Sequence, residues 1–462
     1  MKRTSLVLTL LLILVLVSCT ATPAPTATSS IPATETTTPT LTPTEIVAVI
    51  ETATSPATIP SPPTDVPTLT PTTILPTAPP SLNPMPTGQI IFFWDPTILE
   101  RPGEPGSEPK ENLFVITPAN GSVETVLDEW LDLSYEAPSF PSVALSPDQT
   151  MLAFTVQKDS DGDSFWDRNS IYVYNLVTQD FQVLVADHYF GIGGLSWVPD
   201  NEALIYGVDK TVWKVSLTDL APTPLMDEFP KHIGFLNWSP DGNFLAIHLN
   251  DSSGRIVFFD TSTDLMKEVM TDQLTSPTSM FWSPDSKWFV SNKLVDRGIL
   301  VVSLDEYEIV FLDDYAFNKP SWSPDSSHLA YLHRTEQQTS LFMLETSTMT
   351  TTLLFEGEHI GNPIWSVNGQ DLAVTCVCNN LNTLSLIDTT TLNVTQLLTG
   401  KDLQANELLA WSPDGEWLLF WGIQDGLSGL YIVHRDGNET QLLLEMPVNT
   451  RSPEQILWLA DQ

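Results

Sequence analysis

Beyond residue 88 the apolar positions fall into short runs separated by clusters of Pro, Asp, Ser, Gly and Asn, and no run keeps the spacing of an amphipathic helix. The stretch after Trp238 shows the pattern clearly. A Ser-Pro-Asp-Gly turn is followed by Phe244 to Leu249, a turn at Asn250 to Gly254, then Arg255 to Asp260, another turn, and Leu265 to Met270. Counting the run that ends at the tryptophan, this predicts four short strands in up-and-down order.

The same unit returns along the chain. Clear copies of its punctuation are Trp238-Ser239-Pro240-Asp241-Gly242, Trp282-Ser283-Pro284-Asp285, Trp322-Ser323-Pro324-Asp325 and Trp411-Ser412-Pro413-Asp414-Gly415. Weaker copies begin at Leu145, Trp197, Trp365 and Trp458, and successive anchors lie 52, 41, 44, 40, 43, 46 and 47 residues apart. A repeat of this length made of four strands is a β-propeller blade. Ser, Pro with φ already near -65°, Asp and Gly suit a type I turn followed by a left-handed residue, which closes a hairpin. The tryptophan is expected to wedge between neighbouring sheets.

The ends of the chain complete the count. Trp458 to Gln462 supplies a first strand and the start of its turn, whereas Gly88 to Trp94, Leu113 to Thr117 and Ser122 to Leu127 supply the remaining strands of one unit. Joined, they make one blade and leave no open sheet edge between the termini. The predicted fold is all-β: a propeller of four-stranded antiparallel blades, closed by N- and C-terminal strands sharing one blade. Eight blades are expected, or seven if the divergent copy at Leu145 is not a true blade.

The Trp-Ser-Pro-Asp-Gly repeat resembles the TolB-type, WD40-like family of β-propellers, which also supplies the propeller part of prolyl oligopeptidase and dipeptidyl-peptidase relatives. The resemblance covers 88–462 and implies a fold rather than an activity.

Residues 1–87 read differently. Lys2 and Arg3 precede an apolar run from Leu6 to Val17, too short to span a bilayer, as in a signal peptide. The run ends in Leu16-Val17-Ser18-Cys19, which resembles the lipobox of bacterial lipoproteins. That resemblance implies removal of residues 1–18 and lipidation of Cys19; the alternative is an ordinary secretory signal. Residues 19–87 are rich in Thr and Pro, with four acidic and no basic side chains, and are expected to be a disordered stalk. Fully extended at about 3.1 Å per residue it reaches on the order of 200 Å. The expected location is extracytoplasmic, with the membrane met only through the lipid.

Charge narrows the partner class. The chain carries a formal charge of -38. The part after residue 87 has 53 acidic and 17 basic side chains, or -36. Nucleic acid is excluded as a partner, because binding its phosphates requires a basic face. Anionic polymers are disfavoured and basic partners favoured.

Candidate chemistry is sparse. Asp159, Asp161, Asp163 and Asp167 take positions 1, 3, 5 and 9 of a loop with Gly162 at the bend, an oxygen set suited to a structural calcium ion. The first five positions resemble EF-hand-like and dockerin-type loops. Position 12 departs from them, being Ser170 rather than a bidentate acid, and an acidic solvated turn is the alternative. His232 and His359 each lie six residues before their motif tryptophan, with Lys231, Lys319 and Arg451 in comparable connections. Propellers that cleave uronic-acid polymers bind a metal through channel histidines, which keeps an enzyme reading open. Cys376 and Cys378 lie on one strand face, either as free thiols or as a local disulfide. No Gly-x-Ser-x-Gly elbow exists; Gly426-Leu427-Ser428-Gly429 has the wrong glycine spacing.

The sequence thus points to a monomeric, lipid-anchored binding or assembly module of the cell envelope, whose partner is an envelope protein or small ligand. The competing class is a propeller enzyme, a polysaccharide lyase or hydrolase with its site at the central channel.

Overall fold

The computed structural model describes residues 83–94, 112–126, 143–158, 168–188, 191–226, 228–250, 255–270, 280–293, 298–305, 307, 309–313, 316–335, 338–378, 381–400, 403–446 and 453–461. Every sheet in it is built from antiparallel neighbours, and there are eight. Blade 1 pairs Glu454–Leu459 with Gln89–Trp94, then Asn112–Thr117 and Ser122–Thr125. Blade 2 runs Val143–Leu145, Met151–Lys158, Arg168–Asn175 and Phe181–His188, and blade 3 runs Ile192–Trp197, Ala203–Val208, Thr211–Ser216 and Thr223–Pro224. Blade 4 begins at Ile233–Trp238, blade 5 at Met280–Trp282, blade 6 at Ala316–Trp322 and blade 8 at Leu403–Trp411. In blade 7 the first strand is broken into His359–Ile360 and Ile364–Trp365, both paired with Asp371–Cys378. Pro363 sits at the break and has no N–H to donate.

The eight-blade expectation holds, and the seven-blade alternative falls. The divergent copy is a true first strand, with Val143 opposite Phe154 and Leu145 opposite Leu152. Closure is as read from the termini, with Gln89 opposite Leu459 and Ile90 opposite Trp458.

Strand alternation explains why the sheets form a ring. Side chains of one strand point to opposite faces, so a strand buried on both sides feeds two cores. Ile90, Phe92 and Trp94 pack with Trp417, Leu419 and Ile432 of blade 8, whereas Ile91 and Phe93 pack with Leu152, Phe154 and Val156 of blade 2. The same division recurs around the molecule: each of the eight apolar cores is shared by two consecutive blades, and the last joins blade 8 to blade 1. No blade has a core of its own, which is why neighbours are needed for stability. Among the described residues no helix is long and apolar enough to cross a membrane.

Candidate functional site

The up-and-down order gives every blade two ends. At one end lie the turns from strand 1 to 2 and from 3 to 4; at the other lie the 2-to-3 hairpins and the connections to the next blade.

The motif end is uniform. In blades 2 to 8 the first turn spans five residues each time: 146–150, 198–202, 239–243, 283–287, 323–327, 366–370 and 412–416. The fourth position has positive φ in all seven, at Gln149, Asn201, Gly242, Ser286, Ser326, Gly369 and Gly415. This is the type I turn with a left-handed residue read from the sequence. Its serine makes three bonds. The Ser323 hydroxyl donates to Asp325 at 2.6 Å and accepts the His328 N–H at 2.9 Å, while the Ser323 N–H donates to the His328 carbonyl. Ser146, Ser239, Ser283 and Ser412 repeat this with Asp148, Asp241, Asp285 and Asp414, and Ser366 with Asn368. The Ser323 and Ser327 hydroxyls pull the Asp325 pKa down to about 2. Thr261, Thr346 and Thr389 tie the second turn to the first by donating to the carbonyls of Asn243, Ser327 and Gln370.

Neighbouring turns are stapled to each other. The Trp197, Trp282, Trp365 and Trp411 indoles donate to carbonyls of the preceding blade, at Ala144, Asn237, Ser321 and Ile364. Trp238 and Trp322 keep the wedge position without that bond. Where the fourth turn residue is serine or asparagine, its side chain accepts a backbone N–H of the preceding turn: Asp148 to Asn201, Asp241 to Ser286, Asp285 to Ser326. Where it is Gly242, a Cβ would meet Pro199 of blade 3 at 2.5 Å. Between blades 7 and 8, Arg435 pairs with Asp371, whose carboxyl burial holds above the usual range against the pull of that guanidinium.

The opposite end is irregular. The 2-to-3 hairpins hold two residues in blades 3, 7 and 8, nine in blade 2 (159–167) and seventeen in blade 1 (95–111). Another seventeen (126–142) connect blade 1 to blade 2. The calcium-type acids Asp159, Asp161, Asp163 and Asp167 lie in the blade 2 hairpin, outside the described residues. Its base is described: Val156 pairs with Ser170 and Lys158 with Arg168, so position 12 of the count belongs to the strand ladder. Cys19 and Arg451 also lie outside the described residues.

The remaining candidates do not converge. His232 precedes the first strand of blade 4 and pairs with Asp209 of blade 3 at 2.6 Å, two-thirds exposed. His359 opens the first strand of blade 7, and Lys231, Lys319 and His359 are exposed. Among the described residues there is no group of three or more His, Cys, Asp or Glu arranged to hold a metal. Ser428 is buried within Leu427–His434, in a β-strand rather than at an elbow. Cys376 is buried and disulfide-bonded, so at this position the free-thiol alternative falls.

Sequence reasoning missed the residues that precede Gly88. Asn83 donates to the Glu439 carboxylate from its backbone and side-chain amides, and the Trp417 indole donates to the Pro84 carbonyl. The only signal was Asn83 and Met85 amid prolines.

Comparison with known proteins agrees with this picture. The family model for eukaryotic translation initiation factor eIF2A matches 145–298, roughly blades 2 to 5. Protein HIR1 of Cryptococcus neoformans var. neoformans is 25% identical over 173 residues, which is 35% of this chain and only 19% of that protein. Among solved structures, the dihydro-heme d1 dehydrogenase NirN aligns with a TM-score of 0.54 at 13% identity over 83% of this chain and 77% of its own. Porphyromonas gingivalis dipeptidyl peptidase 4 aligns at 0.50 and 11% identity, over 67% of this chain and 53% of that one. TolB from Acinetobacter baumannii aligns at 0.39 and 16% identity, over 57% and 62%. At such identities the likeness is one of fold. The chain is an eight-bladed β-propeller.

Proposed function

We propose that this propeller is a lipid-anchored, extracytoplasmic binding module that holds a cationic partner, an envelope protein or a smaller ligand, at the irregular end of blades 1 and 2. One observation carries the reading. The segments 95–111, 126–142 and 159–167 leave and re-enter two adjacent blades at the same end, and together they hold 13 acidic and two basic side chains. Variable segments on a rigid scaffold are where recognition residues concentrate. The carboxylates of the motif end are bound into repeating turns instead.

The disulfide at Cys376 fits an oxidising compartment, as expected for a chain exported behind a signal peptide and anchored at Cys19. Calcium held by Asp159, Asp161, Asp163 and Asp167 would tune the charge of this surface, lowering its attraction for cations when bound.

Titration with a decalysine peptide tests the reading. Binding should weaken steeply with salt and fall about tenfold when Asp159, Asp161, Asp163 and Asp167 are all changed to Asn. Equal binding by that variant, with loss instead on changing Asp200 and Glu202 of the motif end, would sink it.

A further inference from the structure

The closing blade is the only one whose four strands are not continuous in sequence. Its first strand, Glu454–Leu459, pairs antiparallel with Gln89–Trp94, with an irregularity between Ile91 and Phe93. Chain ends are where opening starts. The six residues before Gln89, 83–88, lie across this junction. The Asn83 N–H and Nδ2 donate to Glu439, in the last turn of blade 8, at 3.2 and 3.4 Å. The Pro84 carbonyl accepts the Trp417 indole N–H at 3.3 Å. Met85 packs against the core shared by blades 8 and 1, and Pro86 is buried. The Thr87 carbonyl accepts the Trp458 indole N–H at 3.2 Å, and the Gly88 N–H donates to Asp461 at 3.1 Å. Gly88 has φ +93°, and a Cβ there would lie 2.1 Å from the Leu459 carbonyl oxygen, so only glycine lets the chain pass this close.

Successive contacts therefore pass from one partner to another. Asn83 and Pro84 hold blade 8; Thr87 and Gly88 hold the carboxyl-terminal strand and Asp461, two residues beyond its end. Trp458 is also the exception among the bonded motif tryptophans: its indole bonds this segment rather than a carbonyl of the preceding blade.

We propose that residues 83–88 are a strap that locks the ring from outside the strand ladder. Through it the preceding chain is fastened to blade 8 and does not hang from the strand Gln89–Trp94. A pull on the amino-terminal side then reaches Glu439 and Trp417 before it reaches the pairing of Ile90 with Trp458. The strap is independent of any partner or lipid.

Hydrogen exchange followed by mass spectrometry on the full chain tests this. In an Asn83→Ala, Trp417→Phe double variant, amides of 89–94 and 454–459 should exchange about tenfold faster, while 244–260 of blade 4 keeps its rate. Asn83→Ala alone, on a half-buried side chain that leaves the core intact, should give a smaller acceleration confined to the same two strands. Unchanged rates in both strands would overturn the proposal, as would acceleration spread evenly over all eight blades, which would mark a general loss of stability. Neither readout depends on decalysine binding, so the strap and the binding surface stand or fall separately.

Discussion

The two ends of the blades are made from much the same residue types and do opposite things. At the motif end Asp, Ser, Thr and Gly recur in a fixed five-residue frame, and the Ser and Asp side chains bond within it. Asp325 takes bonds from Ser323 and Ser327; Ser286 caps the backbone of Asp241. At the other end Asp and Ser recur in segments from two to seventeen residues long. The difference teaches that an acidic residue in this fold is structural or available according to its frame, not its identity. The motif end joins neighbouring blades through repeated bonds; the irregular end differs in length from blade to blade.

The largest expected effect comes from removing a wedge. Trp282 is buried against Phe258 and Phe289 and bonds the Asn237 carbonyl of the preceding blade. Trp282→Ala should cost about 3–5 kcal/mol in chemical denaturation, the range for a large aromatic lost from a core. Replacing 95–111 by a short Gly-Ser linker should cost under about 1 kcal/mol, since loop-closure entropy varies slowly with length. If the linker variant proved the less stable, the contrast between the ends would be wrong.

A smaller effect separates two versions of one turn position. Gly242→Ala puts a methyl group onto Pro199 at positive φ and should destabilise by about 1–3 kcal/mol. Ser286→Gly relieves the same strained backbone but removes the oxygen that accepts the Asp241 N–H, so its melting temperature should move little. A large loss in Ser286→Gly would show that the staple outweighs the strain.

The smallest effect is a pH dependence. Asp325 titrates near 2 in the folded protein, below its ordinary 3.8, because Ser323 and Ser327 donate to its ionised form. Its contribution is therefore complete above about pH 4 and is lost as pH falls through about 2. In Ser323→Ala the carboxyl titration followed by NMR should move back up towards 3.8. A carboxyl still near 2 in that variant would assign the shift to another cause.

Much of the architecture was legible because its determinants are local and repeated. Trp-Ser-Pro-Asp-Gly encodes a turn with its own hydrogen bonds, and eight copies at blade spacing leave few alternatives to a ring. Strand limits such as Phe244–Leu249 and Arg255–Asp260 match the apolar runs residue for residue. Other features have no local signature. Asn83 to Thr87 reads as more stalk, because composition says nothing of Glu439 and Trp417, over 330 positions away. The break in the first strand of blade 7 is marked by one proline, a signal shared with many loops. That Cys376 is oxidised follows from a thiol approach that spacing alone left open. The histidines His232 and His359 looked equivalent by their count before the tryptophan. The fold gives the first an Asp209 partner and leaves the second exposed at the start of a strand.

By itself the sequence determined the blade, its turn chemistry and the pairing of the termini, since each depends on periodicity and on interactions within a few residues, and it narrowed the blade count to eight or seven. Tertiary structure decided which serines staple which neighbour, where the strap lies across the closure, and which end of each sheet is bound into turns. Those outcomes depend on groups that meet only when separate blades pack face to face, and no spacing along the chain records that meeting.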